Sequence, residues 1–376
     1  MEIVVTGVGL ISALGDLGST WNSLLQGQSG LQSFALFPAL AAKPVGLVGS
    51  SPTELAVLTE RVVTAALTDA ALAPPLPNCG VVVGSSRGNQ AQWEKLVSYS
   101  LTGAEELPLP WLDTLPHAAA IVTARQIQTR GAVFSPMAAC ATGLWAIAQG
   151  CELLHSGQVQ QVVAGAVEAP ITPLTLTGFD RMGALATTGA YPFDQRREGL
   201  VLGEGGAMLV LEPAELAKQR GAKIYGRIRG YGLTADGHHV SAPEPSSRSA
   251  IAAVNQCLKQ ARLTPQDIDF IHTHGTATQL NDRNEANLIQ QLFPSSVAIC
   301  STKGATGHTI GASGALGAVF SLLALQNQLL PPCVGLQEPA FALNFVRVAQ
   351  LINVHHALCL SFGFGGQNAA VVFSRD

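Results

Sequence analysis

Two long stretches of this chain, Gly131 to Cys151 and Gly304 to Gln337, contain no Asp, Glu, Lys or Arg. Uncharged segments rich in Gly, Ala and Ser belong either in a membrane or deep inside a large protein. Pro136 and Gln149 interrupt the first, and His308, Ser313, Gln326 and Pro331-Pro332 the second, so neither is a clean apolar run of about 20 residues. Two helices buried on all sides are expected, and no membrane span. Composition agrees. Charged residues make up 12% of the 376 positions and hydrophobic ones 47%, where roughly 25% charged is usual, so a disordered chain is excluded. With 21 basic against 25 acidic residues and a net charge of -4, an extended phosphate-binding face is excluded too, so no nucleic-acid partner is expected. The start, Met1-Glu2-Ile3-Val4-Val5-Thr6-Gly7, lacks a basic region followed by a long apolar one, and the seven Cys follow no repeating spacing. A cytoplasmic protein without a disulfide framework is the expectation.

The chain passes through similar elements twice. Glu2 to Leu10 has an echo in Tyr225 to Leu233, and Cys79 to Ser85 in Asp269 to Gly275. Val133 to Cys140 with its following helix parallels Ala298 to Lys303 with the next, and Gln161 to Gly165 parallels Ala357 to Ser361. Short apolar runs alternating with helical stretches indicate βαβ units. The fold expected is a duplicated α/β architecture, with mixed sheets and buried central helices. The charged, helix-ending stretch Lys218 to Lys223 marks the joint, giving halves at 1–220 and 221–376.

Two nucleophiles compete. Gly84-Ser-Ser-Arg-Gly88 matches G-x-S-x-G directly after the apolar run Val81 to Val83, the context of a serine-hydrolase elbow at Ser86. Cys140 lies between the extended Val133-Phe134-Ser135 and a helix expected through Ala141 to His155. There a thiol faces free backbone N–H groups and the positive helix end, which favour thiolate and could hold an oxyanion. Gly7-Val-Gly9 lacks the third glycine of a dinucleotide turn, which is Ser12 here. His272-Thr-His274 ends an apolar strand with both rings on one side of the pleat. Lys303 and His308 begin the second uncharged helix, where a lysine and a histidine are costly without a purpose. Zinc on Cys140, His274 and His308 is conceivable, but no C-x-x-C or H-E-x-x-H spacing is present and Lys303 would oppose it, so no metal is expected. His117, His155, His355 and His356 read as ordinary satisfied histidines.

Ala138-Ala-Cys-Ala-Thr-Gly143, His274-Gly-Thr-Ala-Thr278, Asn281-Asp282, Ser301 to His308 and Ser361-Phe-Gly-Phe-Gly-Gly-Gln-Asn368 together resemble the elongating β-ketoacyl-acyl-carrier-protein synthases, as do Tyr191-Pro-Phe-Asp194 and Gly203-Glu-Gly-Gly206. The match runs in order along nearly the whole chain. It implies a duplicated thiolase-like fold and a dimer, either a homodimer or a pair with a homologous subunit. It further implies acyl transfer from acyl carrier protein to Cys140, then decarboxylative condensation with a malonyl thioester. By the same resemblance His274 and His308 stabilise the enolate, and Lys303 biases local charge. Backbone N–H groups of Cys140 and Phe364 form the oxyanion hole, Phe362 and Phe364 gate the site, and Thr276 and Thr278 bind the phosphopantetheine arm. No bound cofactor is implied, since substrates arrive on that arm.

Some positions depart from the family. Many elongating members carry an acid on the helix after the second histidine, pairing the lysine; this chain has Gly317 there. Met137-Ala-Ala precedes the nucleophile and Gln367 replaces a Thr or Ser. These departures favour a specialised fatty-acid, polyene or polyketide system, with pairing to a chain-length-factor homologue as the rival to self-pairing. Serine hydrolysis at Ser86 and a non-catalytic carrier-protein-binding role are the alternatives from other classes. For docking an acidic carrier protein, Arg125, Arg130, Arg196 and Arg197 are the basic candidates.

Overall fold

The computed structural model describes residues 1–101 and 111–375. Ten strands lie along one path: β1 (Ile3–Ser12), β2 (Cys79–Gly84), β3 (Val133–Phe134), β4 (Gln161–Glu168), β5 (Gly205–Pro213), β6 (Gly226–Ala235), β7 (Phe270–His272), β8 (Ala298–Cys300), β9 (His356–Gly363) and β10 (Gln367–Ser374). Their spatial order is β8-β7-β9-β10-β6-β1-β5-β4-β2-β3, with Gly15–Asp16 folded back on β1. The order outward from the centre, 1-5-4-2-3, is repeated by 6-10-9-7-8 on the other side. In each half, three strands pair in parallel and the rest antiparallel. The sheets are mixed as expected, but they are not separate. Ile3, Val4 and Val5 pair antiparallel with Ile228, Arg227 and Gly226, joining the halves into one surface.

The central strands are apolar because they are covered on both faces. All ten residues of β1 are buried. Seven helices matter for the site: α1 (Leu55–Asp69), α2 (Ala118–Ile127), α3 (Thr142–His155), α4 (Pro173–Arg181), α5 (Arg248–Ala261), α6 (Gln279–Leu292) and α7 (Ser313–Asn327). α1 and α2 lie together over the first half-sheet, and α5 lies over β6 and β10 of the second, with α6 against it. α3 and α7 occupy matching places in the two halves and pack on each other inside the molecule. α4 has no counterpart in the second half.

The α3–α7 contact explains the uncharged stretches. Every residue of α7 from Ser313 to Leu325 is buried. The segment Ile310–Asn327 is long and apolar enough to cross a membrane, yet 83% of it is buried inside the protein, so it is a core helix. A Cβ on Gly143 would stand 2.5 Å from the backbone nitrogen of Ala315, and one on Gly314 would stand 2.9 Å from Leu144. Only hydrogen at these positions lets the backbones approach so closely.

Gly143→Ala is therefore expected to lower unfolding stability by about 1–3 kcal/mol through overpacking. Gly178→Ala, on α4 where nothing lies within 4 Å of the added carbon, should be neutral or slightly stabilising. Denaturant titration of both variants measures this, and equal effects would mean that the crossing has slack.

Candidate active site

The nucleophile turn is built by short-range hydrogen bonds. Beyond β3 the chain turns sharply, with Ala139 at φ +46°, before α3 begins at Thr142. The Thr142 hydroxyl accepts from Ala138 N at 2.9 Å and donates to Ala139 O at 2.7 Å. From the other half, Ser361 Oγ donates to Cys140 O at 2.9 Å. A Cβ on Gly363 would lie 2.5 Å from Ala138 O and 3.0 Å from Cys140 N. The end of β9 thus rests directly on the turn that carries the thiol.

Around the sulfur, three elements of the second half converge. His308 Nε2 is 3.2 Å from Cys140 Sγ, and its Nδ1 is 2.8 Å from Ser313 Oγ on α7. A hydroxyl both donates and accepts, so His308 can carry its proton on either nitrogen. The His274 ring stands edge-on to His308, with centroids 5.3 Å apart and an interplanar angle of 83°. The Lys303 amine donates to His274 O and lies 3.4 Å from its Nδ1. The carboxylate of Glu285 on α6 accepts from the amides of His274 and Gly275, both at 2.7 Å, and Asp282 accepts from Thr276 N at 3.0 Å. Backbone hydrogen bonding from Phe364 and Cys140 draws the thiol down, against burial.

Burial dominates the electrostatics. It pushes the Cys140 thiol up to about 12, against the pull of the Lys303 charge. The expected thiolate-favouring effect of the helix end is therefore outweighed, and the resting group is a thiol. Burial and then Lys303 hold both His274 and His308 well below the ordinary histidine value, so both are neutral. Lys303 is lowered by burial and held up chiefly by Glu285.

A cavity of about 300 Å³ opens onto this group, lined by Cys140, His274, His308, Phe362 and Phe364. Thr276 and Thr278 line it as well, their hydroxyls 2.8 Å apart. Phe362 meets His274 edge-on at 6.0 Å, and Phe364 stacks at 6.1 Å on Phe179 of α4. The sulfur and the His274 and His308 nitrogens all lie within 4.8 Å of one another, close enough for one cation, with the Lys303 amine beside them.

Other expectations need correction. His272 does not line the cavity: β7 ends at His272, strand alternation stops there, and its Nε2 sits 3.1 Å from Thr302 Oγ1. Ser86 has no histidine hydrogen-bonded to it among the described residues; its amide donates instead to Glu168 at the end of β4, so the hydrolase alternative has no base. Arg197 is 7% exposed, donating to Asp194 O and packed over Phe341, so it cannot dock a partner. Arg196 is tied to Asp194 and stacked on Tyr191. Arg125 and Arg130 line surface depressions beside α2 that share no residue with the Cys140 cavity. Glu285, Ser313 and Ser361 were not singled out by spacing.

Comparison with known proteins accounts for this arrangement. Residues 50–217 match the N-terminal domain model of β-ketoacyl synthases, and 225–337 match the C-terminal domain model. The 3-oxoacyl-[acyl-carrier-protein] synthase 2 of Coxiella burnetii is 31% identical over 100% of this chain and 98% of its own. A type II polyketide ketosynthase solved with its acyl-carrier protein superposes with TM-score 0.93 at 27% identity, covering 100% and 99% of the two chains. The ketosynthase of Xenorhabdus doucetiae solved with its chain length factor gives 0.85 at 27%, covering 100% and 98%. The chain belongs to the β-ketoacyl synthase family. It is an acyltransferase-type enzyme with the thiolase-like fold.

The Glu168 carboxyl, whose charge acts on Cys140 without lining its cavity, also permits a pH test. It is fully buried and accepts from Ser85 Oγ at 3.0 Å and Arg87 N at 3.2 Å. Burial raises it from 4.5 to about 7, against the pull of those donors. A raised folded-state value contributes stability that is complete below the ordinary glutamate range and lost as pH rises through about 7. The unfolding free energy of the wild type relative to Glu168→Gln should therefore fall by up to about 3 kcal/mol between acidic and neutral pH. Urea titrations at several pH values read this out, and a constant difference would mean that burial does not raise the carboxyl above its unfolded-state value.

Proposed function

We propose that this enzyme performs a two-step condensation at Cys140, with the nucleophile supplied by residues 1–220 and its partners by residues 221–376. The observation that carries the reading is the 3.2 Å contact between Cys140 Sγ and His308 Nε2, with His274 edge-on beside it at the end of the cavity. In the first step the sulfur attacks the thioester carbonyl of an acyl chain carried on acyl carrier protein. The carrier's C–S bond breaks, and its phosphopantetheine thiol takes up the proton that Cys140 loses. His308, neutral and in hydrogen-bond reach, relays that proton. Amides of Cys140 and Phe364 hold the carbonyl oxygen as it becomes negative.

In the second step a malonyl thioester loses CO2, and the electron pair of the broken C–C bond moves into an enolate. N–H groups of His274 and His308 stabilise the enolate oxygen where charge develops. The enolate carbon attacks the acyl carbon, and the Cys140–acyl bond breaks to release the lengthened β-ketoacyl product. The sulfur keeps the bonding pair and takes up one proton from solvent, relayed by His308, to return to the thiol. Thr276 and Thr278 hold the pantetheine arm, and Phe362 and Phe364 gate the passage. Neither step calls for a metal or a bound cofactor, and the protein acts in the cytoplasm. A dimer fits the edge of the sheet, where β3 and the turn beyond it leave Val133 37%, Phe134 49% and Met137 69% exposed. The partner is a second copy or a homologous chain-length-factor subunit in a type II fatty-acid, polyene or polyketide system.

Cys140→Ala should abolish acyl-enzyme formation, and Ser86→Ala should leave it intact, as read by intact-protein mass spectrometry with acylated carrier protein. His274→Ala and His308→Ala should retain partial self-acylation while losing most condensation. Stoichiometric zinc lost together with activity on chelation would contradict these roles.

The docking surface is better placed at the cavity mouth than on the arginines singled out by sequence. Met182 and Leu280 line the cavity and are 53% and 56% exposed. Exposed Arg181 precedes the first, and exposed Arg283 lies one helical turn beyond the second. Arg181→Glu and Arg283→Glu should slow carrier-dependent acylation and flatten its salt dependence, whereas Arg125→Glu should not. Stopped-flow acylation across ionic strength checks it, and an effect confined to Arg125 would move the patch to α2.

A further inference from the structure

Gly317, on α7, faces a ring rather than empty space. A Cβ there would stand 2.7 Å from His272 Nδ1, 2.8 Å from its Cε1 and 2.9 Å from Cys359 Sγ. The imidazole fills the notch that the missing side chain leaves. It is 3% exposed, packs at 6.0 Å against Phe320 of α7, and reaches Thr302 Oγ1 at 3.1 Å. Thr302 is the residue from which the short turn carrying Lys303 starts. His272 is also two positions from His274, whose carbonyl accepts from that lysine.

The groups that act on Lys303 come from three elements. Asp282 and Glu285 approach from α6, Cys140 from the nucleophile turn and Cys359 from β9. α7 contributes no ionisable side chain anywhere along Ser313–Asn327. Among the described residues, the groups nearest to a side chain at Gly317 are Cys359 and His272, the latter kept neutral by burial and by the lysine itself.

We propose that His272 is a positioning residue of the condensation site: its ring fills the Gly317 notch, so that no carboxylate side chain has room there beside the lysine, and it anchors the Lys303 turn through Thr302. The lysine's charge is then directed at Cys140 and the two cavity histidines. This rests on the reading of Cys140 as the nucleophile.

Three comparisons test it. For space, Gly317→Ala should lower the melting temperature clearly in the wild type and less in a His272→Ala background, where the ring no longer blocks the methyl group and the Cys359 contact alone remains. Additive losses would overturn the pairing of ring and notch. For anchoring, His272→Ala should reduce condensation kcat by roughly tenfold to a hundredfold with KM for malonyl carrier protein little changed. His272→Asn, whose amide can still reach Thr302, should recover part of it, and a wild-type kcat in His272→Ala would overturn the proposal. For charge, His272→Asn/Gly317→Glu is compared with His272→Asn/Gly317→Gln by the pH dependence of iodoacetamide alkylation of Cys140. The added carboxylate takes up the lysine's charge, so the midpoint should rise by about one unit in the Glu variant relative to Gln. Equal midpoints would overturn it. Cys140→Ala is the control. Acyl-enzyme formed by that variant from acylated carrier protein, read by intact-protein mass spectrometry, would show that the nucleophile reading, not the role of His272, has failed.

Discussion

Everything at the site depends on how closely α3 and α7 approach. Cys140 precedes one helix and His308 the other, and each belongs to a different half of the chain. Their 3.2 Å contact exists because glycine at 143 and 314 lets one backbone press on the other. A larger interaxial distance would part sulfur and imidazole by more than a hydrogen bond can span. The price is backbone strain on both sides of the contact, with Ala139 at φ +46° and Ile310 at φ +42°. For a β-branched residue such as Ile310 that conformation is unfavourable, and it persists because the surrounding core fixes it.

Burial then decides what the side chains can do. In water His274 and His308 would be partly charged near neutrality; here burial and the lysine keep them neutral, and their N–H groups are available as donors without a competing charge. The same burial raises the Cys140 thiol, so that it rests protonated. Glu285 holds two backbone amides of the loop after β7 and also balances the lysine. One carboxylate thus links the shape of the loop to the charge within it.

The repeated succession of strands and helices and the two buried helices were readable from the sequence because hydrophobic period and glycine turns are local signals. Cys140, His274 and His308 stood out for a similar reason, being reactive groups in segments otherwise free of polarity. What was not legible lies across the fold. Glu285 follows His274 by eleven positions on another element, and nothing local says that its carboxylate turns back to the loop. Strand parity grouped His272 with His274, yet the strand ends between them and the rings part. Arg197 looked like any surface charge, and only tertiary packing over Phe341 reveals it as buried. The joining of the half-sheets through Ile3 to Val5 is likewise a long-range pairing that no window of sequence contains.

Duplication has a further effect at the centre of the molecule. The two matching helices both begin at the cavity, α3 just after Cys140 and α7 five residues after His308. Each helix start carries the partial positive charge of its aligned backbone dipoles. Two such ends aimed at one place form a field made of backbone, which no side-chain substitution removes and no proton titrates. A chain with so few charged residues can therefore still receive an anionic, carboxylate-bearing substrate in a water-poor chamber.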